Sequence, residues 1–240
     1  MKMVEDQHFM IDNSLLDEIA SYANKIDKVL EIGAGKGALT ERLAKRAKMV
    51  YAIEKDQEFI PELEDKFADI KNVVFMFDDA LKVEYPKFDK CISNLPYSIC
   101  EPLLWKFFRL DFTQAVWVVP ENFADILIGK SWSKLNYILP MFFGVKKVKV
   151  IGKEAFDPEP RVKSALVVLT PRQSDNPLKE IYTQYDKKLR NALRELFMKQ
   201  GLKKREASLK VSSLFPKEML DKKVLNLSAV EIQKLMKEVN

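Results

Sequence analysis

Residues 94–97 of this 240-residue chain read Asn-Leu-Pro-Tyr and follow a short apolar run at residues 91–93. A carboxamide, a rigid proline and an aromatic ring therefore meet where a buried strand is expected to end. The side chain of Asn94 offers both an acceptor oxygen and an NH2 donor, and Tyr97 offers a flat face on which a base can stack. This combination favours a loop that holds the amino group of a base such as adenine.

A glycine-rich turn lies earlier in the chain. Residues 28–32 are a short buried-strand candidate that contains Glu31, and Gly-Ala-Gly-Lys-Gly follows at residues 33–37. Gly33 and Gly35 allow the backbone to approach a ligand, and the helix predicted after them offers unpaired N–H groups. The G-x-G-x-G spacing differs from the G-x-G-x-x-G of dinucleotide sites. A carboxylate beside the turn also suits a cationic ligand better than a pyrophosphate.

Two further acids follow predicted strands. Glu54 ends the strand at residues 49–53 and lies 19 residues beyond Gly35, where a carboxylate typically accepts hydrogen bonds from ribose hydroxyls. Asp79 follows the strand at residues 72–77, where it would accept protons from an adenine amino group; the plainer interpretation is a turn cap. S-adenosylmethionine carries an ammonium, a sulfonium, a ribose and an adenine. We therefore expect S-adenosylmethionine as the cofactor and methyl transfer to the amine as the reaction.

The order of elements predicts an α/β fold. Strand candidates alternate with amphipathic helices, as in Rossmann-like sheets that bind ligands at the carboxyl ends of their strands. The strand candidates are residues 28–32, 49–53, 72–77, 88–93, 114–119, 145–151 and 165–169. Residues 137–143 are apolar and fit either a helix or a strand.

A change of composition at residues 171–177 predicts a domain boundary. We expect one domain over residues 1–171 and a small helical domain over residues 172–240. The helix candidates of the second domain are residues 186–199, 203–211 and 228–239.

Charge is distributed unevenly between these two parts. The net charge is +5, yet residues 172–240 hold 16 Lys/Arg against 9 Asp/Glu and residues 1–171 hold 24 against 26. A basic appendage on a nearly neutral body suggests a polyanionic partner, nucleic acid above all. Charge alone is equally compatible with a set of merely solvated helices.

Composition argues against several classes of protein. With His8 as the only histidine, a Ser-His-Asp triad or a histidine-rich metal site is not expected. Cys91 and Cys100 lack neighbouring metal ligands, so we expect no metal and two buried thiols. No apolar run approaches the roughly 18 residues of a membrane span, and the N-terminus lacks a signal-peptide pattern. We expect a cytoplasmic protein without a membrane partner, and nothing suggests more than a monomer.

A third motif, Phe-x-Pro-x-Pro-x-Val-x-Ser at residues 156–164, completes a resemblance. With this motif, the Asn-Leu-Pro-Tyr loop and the glycine turn, the chain resembles the ribosomal RNA adenine dimethyltransferases. Those enzymes methylate paired adenines near the end of small-subunit RNA, and the related macrolide-resistance methyltransferases act on large-subunit RNA. The likeness runs from Gln7 to about Thr170 and continues weakly into the helical tail.

The resemblance implies a seven-stranded class I methyltransferase sheet with a small helical C-terminal domain. It also implies S-adenosylmethionine as cofactor and ribosomal RNA, in the immature small ribosomal subunit, as partner, with a role in ribosome biogenesis.

The resemblance assigns roles to residues as well. The residues placed around the target adenine are Asn94, Leu95, Pro96 and Tyr97, with Phe156 facing Tyr97 across the base. The cofactor contacts that the resemblance carries over are His8, Met10, Gly33, Glu54, Asp79 and Asn94. The glycine-rich turn adds Glu31 and Gly35 as predicted cofactor contacts. The family's arm usually reads Gln-Asn-Phe-Leu, so the contact at His8 departs from the pattern.

Other functions share parts of this pattern. DNA adenine and protein glutamine methyltransferases use an Asp/Asn-Pro-Pro-Tyr loop, and Leu95 in place of the first proline favours the RNA class. A large-subunit enzyme of the macrolide-resistance kind fits the same motifs. A non-catalytic RNA-binding assembly or transcription factor could keep the fold, although Glu54 and Asp79 argue against it. Taken singly, Asn94 could be an ordinary turn residue and the aromatic residues ordinary core.

Overall fold

The computed structural model describes residues 7–239, which form nine strands and eleven α-helices. The strands are β1 (Phe9–Met10), β2 (Lys28–Ile32), β3 (Met49–Glu54), β4 (Val73–Phe77), β5 (Lys90–Asn94), β6 (Gln114–Pro120), β7 (Phe143–Ile151), β8 (Phe156–Asp157) and β9 (Ser164–Pro171). The helices are α1 (Asn13–Ala20), α2 (Ala38–Arg46), α3 (Ile60–Phe67), α4 (Cys100–Phe107), α5 (Glu121–Leu127), α6 (Leu135–Phe142), α7 (Pro177–Thr183), α8 (Leu189–Lys199), α9 (Lys204–Leu214), α10 (Lys217–Leu220) and α11 (Ala229–Val239).

Seven strands form one sheet in the order β4-β3-β2-β5-β6-β9-β7. The pairs β2–β3, β3–β4, β2–β5 and β5–β6 are parallel, and β9 runs antiparallel to β6. The predicted seven-stranded α/β sheet is confirmed. The chain leaves β2 toward β3 and β4 and then returns to the other side of β2 as β5. Ligands bind at such a reversal, outside the carboxyl ends of the strands, so β2 and β5 mark the site.

Helices cover both faces of the sheet, which is why its central strands are largely apolar. On one face α1 and α2 pack against a core that includes Val50, Ile92 and Val116. On the other face Phe107 of α4 meets Trp117 of β6 edge to face, with ring centroids 4.8 Å apart. The covered sheet is a rigid platform from which the strand ends project.

The two short strands β1 and β8 pair with each other and lie outside the main sheet. They run antiparallel, with Phe9 opposite Asp157 and Met10 opposite Phe156. The backbone N–H of Ile11 also donates to the carbonyl of Ala155 at 2.9 Å. This pairing attaches the N-terminal arm, residues 7–11, to the 156–164 motif. No sequence pattern predicts this link.

The chain divides into two compact units. Of the described residues, 7–128 and 145–171 form the first, and 129–144 and 172–239 form the second. The division differs from the predicted domains 1–171 and 172–240, because the chain passes to the helical unit after residue 171 but residues 129–144 also join that unit. Two hydrogen bonds hold them there, from Lys134 Nζ to the carbonyl of Leu225 and from Gln233 Nε2 to the hydroxyl of Tyr137.

The helical unit contains more helices than the sequence pattern predicts. The three predicted helices correspond to α8, α9 and α11, and the short helices α7 and α10 are additional. The apolar segment 137–143, which sequence alone left open, is mainly helical as α6, with Pro140 inside the helix. No helix among residues 7–239 is long and apolar enough to cross a membrane.

Candidate active site

The carboxyl ends of β2, β3 and β5 and the loop after β4 border one cavity of about 770 Å³. A volume of this size suits a small-molecule ligand. The predicted site residues that line it are His8, Met10, Glu31, Gly33, Gly35, Glu54, Asp79, Asn94, Leu95, Pro96 and Tyr97. Of the residues predicted from sequence, Phe156 alone does not line this cavity.

Asn94 is the last residue of β5, so its side chain emerges at the carboxyl end of that strand. Its Nδ2 donates a hydrogen bond to the backbone carbonyl of His8 at 3.1 Å. Its Oδ1 is buried and has no hydrogen-bond partner among the described residues. The His8 carbonyl therefore orients the carboxamide, and the Oδ1 of this cavity-lining residue is left without a protein partner.

The loop after Asn94 is fixed by β6 and by the glycine turn. The backbone N–H of Leu95 donates to the carbonyl of Val118 at 3.1 Å, and the Leu95 side chain is buried. A Cβ added at Gly33 would lie 3.1 Å from Cδ of Pro96, and Gly33 has a φ of +78°. The two chain segments approach so closely because residue 33 has no side chain.

Tyr97 begins a short 3₁₀ turn and is half-buried at the edge of the cavity. Its hydroxyl forms a hydrogen bond of 2.5 Å with the hydroxyl of Ser164, the first residue of β9. Its ring centroid lies 5.4 Å from that of His8, with the two planes tilted by 42°.

The side chain of His8 is held by the 156–164 segment. Its Nδ1 donates to the backbone carbonyl of Pro158 at 2.9 Å. His8 therefore connects two motifs, because its carbonyl holds Asn94 while its ring is tied to Pro158. Met10, two residues later, is nearly buried and belongs to the core beneath the cavity.

Glu31 is a buried carboxylic acid in the cavity wall, with 1% of its surface exposed. Its Oε2 has no hydrogen-bond partner among the described residues. Burial raises the pKa of Glu31 from 4.5 to about 8; the Thr40 hydroxyl offsets part of that rise, and the Glu54 carboxylate adds to it. Glu31 thus holds a proton at neutral pH until a cation is placed against it.

Glu54 organises the backbone around the glycine turn. Its Oε2 accepts from the N–H of Gly35 at 2.7 Å, and its Oε1 accepts from the N–H groups of Lys55 and Asp56, both at 2.8 Å. An ionised carboxylate has about four acceptor positions, so capacity remains for one more donor. The carboxylate is therefore oriented before any ligand arrives.

Asp79 caps a turn, which is the plainer of the two interpretations of its sequence position. Its Oδ1 accepts from the backbone N–H of Leu81 at 3.0 Å, as a turn cap does, and its Oδ2 pairs with Lys55 Nζ at 3.1 Å. The Leu81 N–H, followed by the Lys55 ammonium, holds the pKa of Asp79 below its ordinary value. Asp79 is therefore an ionised acceptor in the cavity wall.

Phe156 does not occupy the place that the resemblance implies. Its side chain is 2% exposed and packs in the hydrophobic core with Met10. The cause is the register of β8, which places Phe156 opposite Met10 and, because side chains alternate along a strand, leaves Asp157 as the residue that lines the cavity. The expectation that Phe156 faces Tyr97 across a base therefore does not hold in this structure.

Two residues at the site were not predicted as site residues. Asp157 lines the cavity, whereas its neighbour Phe156, which was predicted to do so, does not. Ser164 forms a hydrogen bond with the hydroxyl of Tyr97. Ser164 closes the 156–164 motif, so its place in that motif was an available signal. Its partner could not be read from the sequence, because 67 positions separate the two residues.

The two cysteines are buried, as expected. Burial raises the pKa of the Cys91 thiol to about 12, so this thiol is neutral at physiological pH. Within residues 7–239 no group of three or more His, Cys, Asp or Glu side chains is arranged to hold a metal ion.

Comparisons with known proteins identify relatives along almost the whole chain. A family model described as ribosomal RNA adenine dimethylase matches residues 2–238. A relative from Methanosarcina barkeri, named "Probable ribosomal RNA small subunit methyltransferase A", is 36% identical over 250 residues; the match covers 98% of this chain and 86% of the relative.

Two solved structures cover almost the whole chain. A dimethyladenosine transferase from Plasmodium falciparum is 28% identical, with a TM-score of 0.66 over 96% of this chain and 97% of its own. The 23S rRNA methyltransferase ErmE is 20% identical, with a TM-score of 0.65 over 96% of this chain and 99% of its own. At that identity the likeness to ErmE concerns the fold alone.

Replacing Glu31 with Gln tests the buried acid. Because its pKa is raised, Glu31 keeps its proton in the folded protein at pH values where the unfolded chain has lost it. Glu31 therefore does not destabilise the folded state below about pH 4.5, and it lowers the free energy of unfolding increasingly as the pH rises toward 8. We expect Glu31→Gln to raise the free energy of unfolding at pH 8 by roughly 4 kcal/mol, with little gain near pH 4.5.

Thermal or denaturant unfolding across that pH range measures this effect. Glu62→Gln, at an exposed position of α3, is the matched control and should show no such pH-dependent gain. An equal effect of Glu31→Gln at pH 4.5 and pH 8 would contradict a raised pKa.

Proposed function

The chain belongs to the ribosomal RNA adenine dimethylase family, and from this premise we propose that it transfers methyl groups from S-adenosylmethionine to the exocyclic amine of adenines in small-subunit ribosomal RNA. In this proposal the second transfer converts a monomethylated adenine into a dimethylated one in the same site. The reaction acts on the immature small subunit during ribosome biogenesis.

The observation that carries the proposal is the open Oδ1 of Asn94. A buried polar atom without a partner costs about 1–3 kcal/mol, so a site that keeps one has a use for it. This acceptor lies in the same cavity wall as the glycine turn and is held by a hydrogen bond at the other end of its carboxamide. An amine donor placed in the cavity is the group that would satisfy it.

The chemistry follows from the electronic character of the adenine amine. Its lone pair is delocalised into the ring, which makes the nitrogen a poor nucleophile. Two acceptors, Asn94 Oδ1 and the backbone carbonyl of Leu95, would bind the amine protons and favour a pyramidal nitrogen with its lone pair available. The remaining requirement is positioning of the nitrogen against the methyl carbon rather than a strong base.

The cavity residues fit S-adenosylmethionine, which when bound supplies a methyl group on a cationic sulfonium. The unpaired Oε2 of Glu31 would receive a cationic part of the ligand, and its proton would then leave to solvent. Glu54 would accept a ribose hydroxyl, and Asp79 the amino group of the cofactor's adenine. The backbone at Gly33 and Gly35 would border the ligand closely, and the arm residues His8 and Met10 complete this wall.

The target base enters the same cavity from the RNA side. It must leave its own stack to do so. Tyr97 would stack on it, at about 1–3 kcal/mol for an aromatic contact with a base. Because Phe156 is buried in the core, the base is held on one ring face by Tyr97, beside the tilted ring of His8.

The small subunit is the substrate favoured by the relatives. The Methanosarcina barkeri protein, which is named as a small-subunit methyltransferase, is 36% identical to this chain, and the match covers 86% of its length. ErmE, which is named as a 23S rRNA methyltransferase, is only 20% identical and shares the fold. We propose that the enzyme acts on this substrate in the cytoplasm and as a monomer. Glu31 and Asn94, two buried acceptors without protein partners, also argue for an enzyme rather than a non-catalytic assembly factor.

The helical unit is the second contact with RNA in this proposal. Its exposed side chains include the run Lys203, Lys204 and Arg205 at the start of α9. Three cations on one turn suit a phosphate backbone, and such contacts supply affinity without reading sequence. The excess of Lys and Arg over residues 172–240 supports this role.

Asn94→Ala removes the open acceptor and tests the proposal. We expect the methyl-transfer rate to fall by about 100-fold or more, because the amine is no longer oriented, while RNA affinity stays within a few-fold. Single-turnover transfer to unmethylated small subunits and RNA binding by filter retention measure the two effects.

Asn72→Ala is the matched control for this variant. Asn72 lies just before β4, at the edge of the sheet opposite the cavity, and its Nδ2 donates to the carbonyls of Ala44 and Ala47. This variant should lose stability but keep the transfer rate at temperatures where it is folded. Wild-type turnover by Asn94→Ala would overturn the proposed role.

Replacing Lys203, Lys204 and Arg205 together with Ala tests the contact of the helical unit. We expect the slope of log K against log salt concentration to fall by about two, since fewer counterions are released from the RNA. The matched control replaces Lys45, Arg46 and Lys48, exposed at the amino-terminal edge of the sheet, with Ala. Equal salt slopes for the two triple variants would refute a contact by α9.

A further inference from the structure

We propose that Ser164 is a positioning residue for the methyl transfer, because its hydroxyl fixes the ring of Tyr97 in the orientation that stacks on the target base. The inference rests on the proposed function and adds to it a residue from the far end of the 156–164 motif. Ser164 itself is outside the set of residues that line the cavity.

The hydroxyl of Ser164 contacts Tyr97 from a rigid part of the fold. Ser164 is fully buried, and its hydroxyl lies 2.5 Å from that of Tyr97. Ser164 is also opposite Pro120 in the antiparallel ladder of β6 and β9. Its backbone therefore belongs to the rigid sheet, so the hydroxyl is a fixed point rather than a mobile one.

Tyr97 needs such a fixed point. It lies half-buried in a 3₁₀ turn beyond the end of β5, with its ring centroid 5.4 Å from that of His8. A tyrosine ring has two side-chain torsions, and a hydrogen bond at the hydroxyl restrains both because it holds the end of the ring farthest from the backbone. Since Phe156 is packed in the core, it does not supply an opposite ring face to hold the base.

The pairing also explains how two distant motifs cooperate. The Asn-Leu-Pro-Tyr loop supplies the ring, and the serine that ends the 156–164 motif orients it. Loss of the hydrogen bond should leave the cofactor half of the cavity unchanged, because Ser164 does not line it. The effect should therefore be confined to capture of the base.

A double-mutant cycle between Ser164→Ala and Tyr97→Phe is the test. Each variant removes one hydroxyl of the pair and keeps the rest of the side chain. We expect each to lower kcat/KM for unmethylated small subunits by about 5- to 10-fold, the factor of a typical hydrogen bond. The double variant should show the same loss as either single variant, and the Kd for S-adenosylmethionine should stay within twofold.

Ser93→Ala is the matched control for the cycle. Ser93 is also fully buried, but its hydroxyl accepts from the backbone N–H of Ile32 at 2.9 Å. Because Ser93 and Tyr97 share no hydrogen bond, the losses from Ser93→Ala and Tyr97→Phe should multiply in the combined variant. Circular dichroism and thermal unfolding establish that each variant is folded.

Losses that multiply for Ser164→Ala and Tyr97→Phe, or a wild-type kcat/KM for Ser164→Ala, would overturn the inference. If Ser164→Ala does not fold, Tyr97→Phe alone decides, and a wild-type kcat/KM for that variant counts against the positioning role. A wild-type protein that transfers no methyl group to adenine would instead overturn the proposed function, and the inference with it.

Discussion

The hydrogen bond from Asn94 Nδ2 to the backbone carbonyl of His8, 3.1 Å long, determines which end of the carboxamide is left without a protein partner. The two ends of a carboxamide are nearly equal in size, so packing alone would not select one. The carbonyl can act as this anchor because the arm is paired with β8 and because the His8 ring is tied to Pro158. The short β1–β8 pair is therefore a structural requirement of the site.

The site keeps two buried acceptors without partners, Asn94 Oδ1 and Glu31 Oε2. Burying each of these atoms without a partner costs free energy in the folded protein. The pKa of Glu31 is raised because burial disfavours its charged form. The parallel strands β2, β3 and β5 are covered by helices on both faces, and the stability of this sheet offsets the cost of keeping the two atoms unpaired. Polar groups fixed in advance need no reorganisation during the reaction, which is how an enzyme stabilises a transition state.

The carboxyl-edge site was predictable because its elements are local in the chain. The apolar run before Asn94 ends in the loop, and Gly33 follows an equally plain strand, so both were placed correctly at strand ends. The position of Phe156 was not predictable, because its burial depends on a two-residue strand pairing with Met10. No periodicity exists over two residues, and the pair joins distant parts of the chain. The link between Tyr97 and Ser164 escaped prediction for the same reason.

The proposed function assigns the unpaired Oδ1 of Asn94 to an adenine amine in small-subunit RNA. The most direct measurement incubates the protein and methyl-labelled S-adenosylmethionine with unmethylated small and large ribosomal subunits, and then identifies the labelled nucleoside by mass spectrometry. We expect label in small-subunit RNA as adenosine dimethylated at its exocyclic nitrogen. Label found only in large-subunit RNA, label on another nucleoside, or no label at all would contradict the proposed function.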